Sequence, residues 1–348
     1  MGVNLSKPPA VLVADLNGAR RESILRVFAT RPGIRLHSAS TLSDTFRLAE
    51  ELMPERVLIA EEIAQTKEFE MLTRVLSMIS AKAVIYGGNQ PSTLPFPVTR
   101  ISMPSSVNSL VDKVLEGLLP TIRSPVSPVA EPTQNRISPP AKLPYTADMA
   151  RKVIGIGAST GGIVAIETVL RAFPADCPPT LVVQHIRPSF AERFIERLDS
   201  IVAPKVSAAR DGEDLRRGHV YIAADAERHL AVVLRAGLRA RLIDAPEVSG
   251  HRPSVDVLFN ALAQVANRYD VAAALLTGMG ADGADGMCAL HASGAFTIAQ
   301  DKTTSVVWGM PQAAVQRGGA NAVLPIERIG EALLSTETAR ARGSGAPT

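Results

Sequence analysis

Apolar and polar positions alternate along this chain in two successive passes, and each pass describes strands followed by helices. In the first, AVLVAD (10–15), IRLHSAS (34–40), RVLIA (56–60), AVIYGG (83–88) and VTRISM (98–103) are short apolar runs of strand length. Between them, RRESILRVFATR (20–31), LSDTFRLAEEL (42–52), EFEMLTRVLSMI (68–79) and SSVNSLVDKVLEGLL (105–119) carry helical spacing. In the second pass, VIGIGAS (153–159), TLVVQHI (180–186), VAAALLTG (271–278) and AFTIAQ (295–300) read as buried strands. IVAIETVLRAF (163–173), FAERFIERLDSI (190–201) and SVDVLFNALAQVANR (254–268) read as helices. HVYIAA (219–224) and HLAVVLRAGLRARLID (229–244) are expected to form a peripheral antiparallel ribbon. Strands alternating with helices predict parallel sheets covered on both faces, so the fold class is α/β with two doubly wound parallel-sheet domains.

The two passes are separated by PTIRSPVSPVAEPTQNRISPPAKLPYTADMA (120–150), whose seven prolines exclude a helix or a central strand. We expect domains at 1–119 and 151–334, a Pro-rich linker at 120–150 and a flexible tail at 335–348.

Composition narrows the function. The 348 residues are 46% hydrophobic and 20% charged with a net charge of +3, which suits a globular chain. Basic residues are scattered and aromatics make up only 4%, so no nucleic-acid partner is expected. No apolar run reaches the roughly 18 residues of a membrane span, so no membrane insertion is expected. Cys177 and Cys288 have neither disulfide-framework nor metal-ligand spacing, and read as reduced residues of a cytoplasmic protein.

The run VIGIGASTGG (153–162) poses the main chemical question. A dinucleotide fingerprint would need a third glycine where Thr160 stands, and an acidic residue where the next strand ends in Gln184 and His185. The alternative is a G-x-S-x-G turn, Gly157-Ala158-Ser159-Thr160-Gly161, which presents Ser159 beyond a strand. Such a serine needs a base and the base needs a carboxylate. His185 ends the following strand, and the glycine-rich turn of LLTGMGADGADGM (275–287) offers Asp282 or Asp285. Three strand ends supplying Ser, His and Asp favour nucleophilic catalysis over a nicotinamide-dependent dehydrogenase.

IGASTGG, VVQHI, GHVYIA, HRPSVDVLF, LTGMGADGADGM and VVWGMPQAA together resemble the catalytic domain of the CheB chemotaxis receptor methylesterases over roughly 151–330. That resemblance implies Ser159 as nucleophile, His185 as general base and acid, and Asp282 as its orienting carboxylate. It further implies an oxyanion site from the backbone amides of Thr160 and Met279. Asp285 is then a turn aspartate without a catalytic role. No cofactor and no catalytic metal are implied. The implied substrates are γ-glutamyl methyl esters on the cytoplasmic helices of methyl-accepting chemoreceptors, with methanol released, and some members also deamidate receptor glutamines. A histidine kinase is the further partner. Arg252 is a candidate for the mouth of the site, and Ser254 the expected N-cap of its helix. His219, His229 and His291 are expected to be structural, and Met279, Met287 and Met310 to fill packing gaps.

The family's first half is a receiver of the flavodoxin-like type, phosphorylated on aspartate with Mg²⁺ in an acidic pocket. Here Asp15 is followed by Leu16, the acceptor position falls on Ala60, Gly87-Gly88 replace the hydroxyl residue, and Met103-Pro104 replace Lys-Pro. We therefore expect residues 1–119 to be a degenerate receiver with no aspartyl phosphorylation. The competing function is an idle signalling adaptor whose pseudo-receiver docks a partner.

Overall fold

The computed structural model describes residues 8–66, 68–88, 98–102, 106–116 and 151–335. The expected linker, Met103-Pro104 and all of the expected tail except Ser335 lie outside these residues. The chain divides into two compact units, Met1–Ser138 and Pro139–Thr348.

The first unit is a five-stranded parallel sheet of order β2-β1-β3-β4-β5. Its strands are β1 (Ala10–Ala14), β2 (Arg35–Ala39), β3 (Arg56–Ala60), β4 (Lys82–Gly88) and β5 (Val98–Ser102). Helices α1 (Gly18–Ala29), α2 (Leu42–Leu52), α4 (Phe69–Met78) and α5 (Val107–Leu115) connect them, with one further turn, α3 (Glu61–Ala64), directly after β3. Val11, Val13, Leu58 and Tyr86 of the sheet pack with Ile24 and Phe28 of α1 and Leu110 and Val114 of α5 in one core. Strand order reverses between β1 and β3, so the crevice at their carboxyl ends is the topological switch point, where such sheets take ligands.

The second unit is built on a seven-stranded sheet of order β14-β13-β12-β6-β7-β9-β8, all parallel. At its centre lies β6 (Lys152–Ala158), every residue of which is buried, as a strand covered on both faces requires. To one side come β7 (Thr180–Gln184), β9 (His219–Ile222) and β8 (Lys205–Ala208); to the other, β12 (Asp270–Leu275), β13 (Phe296–Gln300) and β14 (Ala322–Leu324). Helices α6 (Gly162–Arg171), α7 (Pro188–Ile201), α8 (Val255–Ala263), α9 (Ala284–Ala292), α10 (Met310–Gln316) and α11 (Ile326–Leu334) complete the layers.

Two sequence expectations need correction. HVYIAA does not join a peripheral ribbon: its first four residues are β9, paired in parallel with both β7 and β8 inside the main sheet. The ribbon consists only of β10 (His229–Leu234) and β11 (Leu238–Ile243). The glycine-rich turn is also shorter than expected, because α9 begins at Ala284 and places Asp285 in its first turn.

Candidate active site

The switch point of the second sheet lies between β6 and β12, and the three strands that flank it, β12, β6 and β7, run side by side. Register fixes what meets there. Ala158 is opposite Gln184 and Gly157 is opposite Leu275, so Ser159, His185 and the turn after β12 leave the sheet at one edge.

Ser159 is held through its backbone. Its amide donates to the Thr277 carbonyl at 3.0 Å, and its carbonyl accepts from the Gly162 amide at 2.7 Å and from Gln184 Nε2 at 2.9 Å. The Thr277 hydroxyl in turn donates to the Thr160 carbonyl at 2.9 Å. Gly157 is needed because α8 lies on β6: a Cβ there would meet Val255 Cγ1 at 2.2 Å. Gly161 takes φ +78°, a left-handed conformation in which a Cβ would stand 2.6 Å from Val306. These two requirements produce the tight turn that ends at the first turn of α6, whose positive end lies beside Ser159. Among the described residues, no acceptor takes the backbone N–H of Thr160 or Met279, so both remain available to a ligand.

His185 follows β7, and its amide donates to the Ala158 carbonyl at 3.1 Å. Its Nε2 lies 2.8 Å from Asp282 Oδ2, while its Nδ1 is buried without a hydrogen-bond partner. Burial is the largest influence on the imidazole; with the adjacent His251 it outweighs the pull of Asp282 and lowers the pKa below the ordinary histidine value. No hydrogen bond joins the Ser159 hydroxyl to this ring in the structure; such contacts often tighten only when substrate binds.

Asp282 is buried at the N-terminus of α8. Its carboxylate accepts from His185, from the Ser254 hydroxyl at 2.6 Å, from the Val255 amide at 2.8 Å and from the Asp256 amide at 3.1 Å. Burial alone would raise this carboxyl, but these donors hold it well below the usual carboxylate range. Asp285 is elsewhere, exposed and paired with Arg317 at 2.5 Å. Ser254 does occupy the N-cap position of α8, but its hydroxyl does not cap the helix as expected. It donates to Asp282, and Asp282 itself receives the free amides of the first turn.

Behind this carboxylate, His229 is fully buried; its Nδ1 accepts from the Ser254 amide at 3.1 Å and its Nε2 meets the Pro246 carbonyl at 2.9 Å. It is thus one residue removed from Asp282, a link that no motif around it signals. His219 and the exposed His291 lie apart from this group. Arg252 donates to the Ala245 carbonyl at 3.2 Å and stays partly exposed beside His251. Met287 and Met310 are fully buried, as expected of gap-filling residues, but the Met279 side chain is 61% exposed and fills nothing. A Cβ on Gly278 would meet Met310 Sδ at 2.2 Å and the Ser159 Cβ at 2.8 Å, so this glycine lets the two turns touch.

Sequence reasoning did not single out His251. Its ring stacks on His185 with centroids 3.7 Å apart and planes 6° from parallel. The only signal was its place in HRPSVDVLF. His185, His251 and Asp282 offer ligand atoms within 4.8 Å of one another. Parallel stacked imidazoles direct their lone pairs along separate planes, however, so one ion cannot lie in both. The set is a poor metal cage.

In the first unit, the crevice at the carboxyl ends of β1 and β3 is occupied by the protein itself. Asp15 is fully buried and receives Arg20 Nε at 2.6 Å and Nη2 at 2.8 Å, along with the Tyr86 hydroxyl. Arg20 Nη2 also reaches both oxygens of Glu62 at 2.9 Å. Burial would raise the Asp15 carboxyl, but Arg20, Tyr86 and the Asn17 amide together bring it below its usual value. Ala60 is fully buried at the end of β3, Leu16 is 49% exposed, and Glu61 pairs with Arg100 at 3.1 Å against Gly88. The described residues do not fit the Mg²⁺ of a receiver, because a guanidinium already neutralises Asp15, the one fully buried carboxylate of the crevice among them.

A family model described as CheB methylesterase matches residues 154–333. A protein-glutamate methylesterase/protein-glutamine glutaminase of Rhizobium johnstonii is 34% identical over 98% of this chain and 100% of its own length. One of the same description from Agrobacterium fabrum is 47% identical over 56% of this chain, spanning 55% of that protein. The crystal structure of the Thermotoga maritima CheB methylesterase catalytic domain is similar at 35% identity, covering 52% of this chain and 96% of that one, with a TM-score of 0.49. With a family match over more than half the chain and relatives that align from end to end, this protein belongs to the CheB methylesterase family.

Proposed function

We propose that this protein is a serine methylesterase that removes methyl groups from glutamate side chains of chemoreceptors for sensory adaptation, and deamidates receptor glutamines by the same acyl transfer. The observation that carries the reading is the buried Asp282–His185 hydrogen bond of 2.8 Å set beside the Ser159 turn. In this reaction the Ser159 hydroxyl attacks the γ-carbonyl carbon while His185 takes its proton. The developing oxyanion receives the N–H groups of Thr160 and Met279. Collapse of the tetrahedral intermediate breaks the bond to methoxide, His185 returns the proton, and methanol leaves a γ-glutamyl-Ser159 ester. Water, activated by His185, then attacks that ester and releases glutamate and free serine. With an amide substrate the leaving group is ammonia, and every other step is the same. Asp282 holds the imidazole in the tautomer that can accept the serine proton and stabilises the cation formed.

The substrate helices are cytoplasmic, and we place the protein there. The first unit is read as a module that docks a partner without becoming phosphorylated, a histidine kinase among its candidate partners; the Arg20 clamp on Asp15 supports the second half of this reading, the lack of phosphorylation. The test is methanol release from a methyl-labelled receptor by the full chain and by Ser159→Ala. Loss of release in the variant, with its fold retained, supports the nucleophile assignment. Substantial residual turnover overturns it.

A further inference from the structure

We infer that His251 is a positioning residue for this reaction, acting through His185 as the surface on which the catalytic imidazole lies. The inference rests on the Ser159–His185–Asp282 reading. Asp282 holds His185 only at one ring edge, and a terminal ring torsion is intrinsically broad. A ring tethered at one edge can tilt about that hydrogen bond and carry its other nitrogen away from the serine. The His251 ring, 3.7 Å away and 6° from parallel, blocks that tilt from the face.

His251 is itself built into place. Ser249 (φ 53°) and Gly250 (φ 74°) form a tight turn closed by the Val248 and His251 amides donating to each other's carbonyls at 3.1 and 3.0 Å. His251 Nδ1 is 2.8 Å from the Ser249 carbonyl, which can only accept, so this nitrogen carries the proton in the neutral ring. The Ser249 hydroxyl donates to Asp256 Oδ2 at 2.8 Å, and Asp256 Oδ1 accepts from the Gly286 amide at 2.8 Å. The turn is therefore tied to α8 and α9, and α8 also presents the amides that hold Asp282. One assembly fixes the imidazole from edge and face together.

The test measures methanol release from a methyl-labelled receptor by the full chain, with kcat and KM resolved, for His251→Ala, His251→Phe and Ser159→Ala. Misplacing a reacting group by about 1 Å can cost on the order of 100-fold in rate. His251→Ala is expected to lose about 10- to 100-fold in kcat with KM within about threefold. His251→Phe, which keeps a planar ring but not the hydrogen bond to Ser249, is expected to recover most of that loss. A merely structural role in the turn would not be rescued by phenylalanine, so failure of rescue overturns the inference. A His251→Ala rate within twofold of the parent, with Ser159→Ala inactive, overturns it while leaving the triad reading intact. If Ser159→Ala stays active, both fall.

Discussion

At the scale of single residues, the site separates two aspartates three positions apart. Asp282 accepts four hydrogen bonds in a buried pocket, whereas Asp285 is exposed and meets only Arg317 among the described residues. Asp282→Asn should lower kcat on the order of 10⁴-fold, because the amide cannot hold the required tautomer or stabilise the imidazolium. It should also cost about 1–3 kcal/mol of stability, since the donors of α8 and Ser254 lose a charged acceptor. Asp285→Asn should leave kcat within about twofold, because a surface ion pair contributes little. Steady-state kinetics and thermal melts on the two variants check both statements. The pH dependence follows from His185. Its pKa is lowered in the fold, so the neutral base persists below the ordinary histidine value of about 6.5. The acid limb of kcat/KM should therefore lie below that value. The same shift means that an unfolded chain takes up a proton there that the folded chain refuses, so stability falls as pH drops through about 6.5. An acid limb above 7 would contradict the burial of this ring.

At the scale of elements, helix α8 does three things. It packs so closely on β6 that a Cβ on Gly155 or Gly157 would press on Leu262 or Val255, it presents its first amides to Asp282, and its Asp256 anchors the turn that bears His251. The serine turn depends on equally local geometry. Gly161 and Gly212 share nearly the same backbone angle, φ +78° and +77°, but only Gly161 would place a Cβ against another residue, whereas Gly212 has nothing within 4 Å. Gly212→Ala should cost about 1–2 kcal/mol, the left-handed penalty alone. Gly161→Ala should cost more and also reduce kcat, because relieving the contact with Val306 moves the turn that carries Ser159. Equal melting temperatures for the two variants would show that the turn can yield without effect.

At the scale of the whole molecule, the two units carry different amounts of chemistry. The second unit brings the Ser159 turn and the hydrogen-bonded His185 and Asp282, the groups proposed for acyl transfer, to its switch point. The first has the sheet order that creates such a crevice, yet Arg20 fills it by pairing with Asp15 and Glu62. Phosphoryl transfer needs an acceptor carboxylate and a cation that neutralises the transferring group. With the expected acceptor position falling on Ala60 and a guanidinium against Asp15, acetyl phosphate with Mg²⁺, or a phosphorylated histidine kinase, should leave the protein unlabelled and its esterase rate unchanged. Base-labile phosphoryl incorporation into residues 1–119 would overturn that expectation. Deleting residues 1–150 should leave hydrolysis of a small soluble ester unchanged and weaken receptor binding. A faster small-ester rate would mean instead that the first unit shields the site.

Much of this architecture could be read from the chain itself. Apolar runs of five to seven residues set against helical spacing located β1, β3, β6 and α2 almost to the residue, because burial on both faces leaves an unbroken apolar signature. That Ser159, His185 and Asp282 would come to one edge of the sheet was legible for a related reason: each follows a strand whose end the pattern marks, and parallel strands bring their ends together. Pairing was not legible. HVYI has the same alternation whether it sits in a ribbon or between β7 and β8, and periodicity reports burial without naming the neighbour. Only the tertiary structure decided which polar groups face each other across long separations. His251 meets His185 although they lie 66 positions apart in the chain, Ser254 turns from capping its helix to holding Asp282, and Arg20 pairs with Asp15 and Glu62 across the crevice. Local sequence specifies the elements through backbone preference and apolar spacing. The site arises where the fold brings distant side chains within hydrogen-bond or stacking distance, at strand ends that no single segment contains.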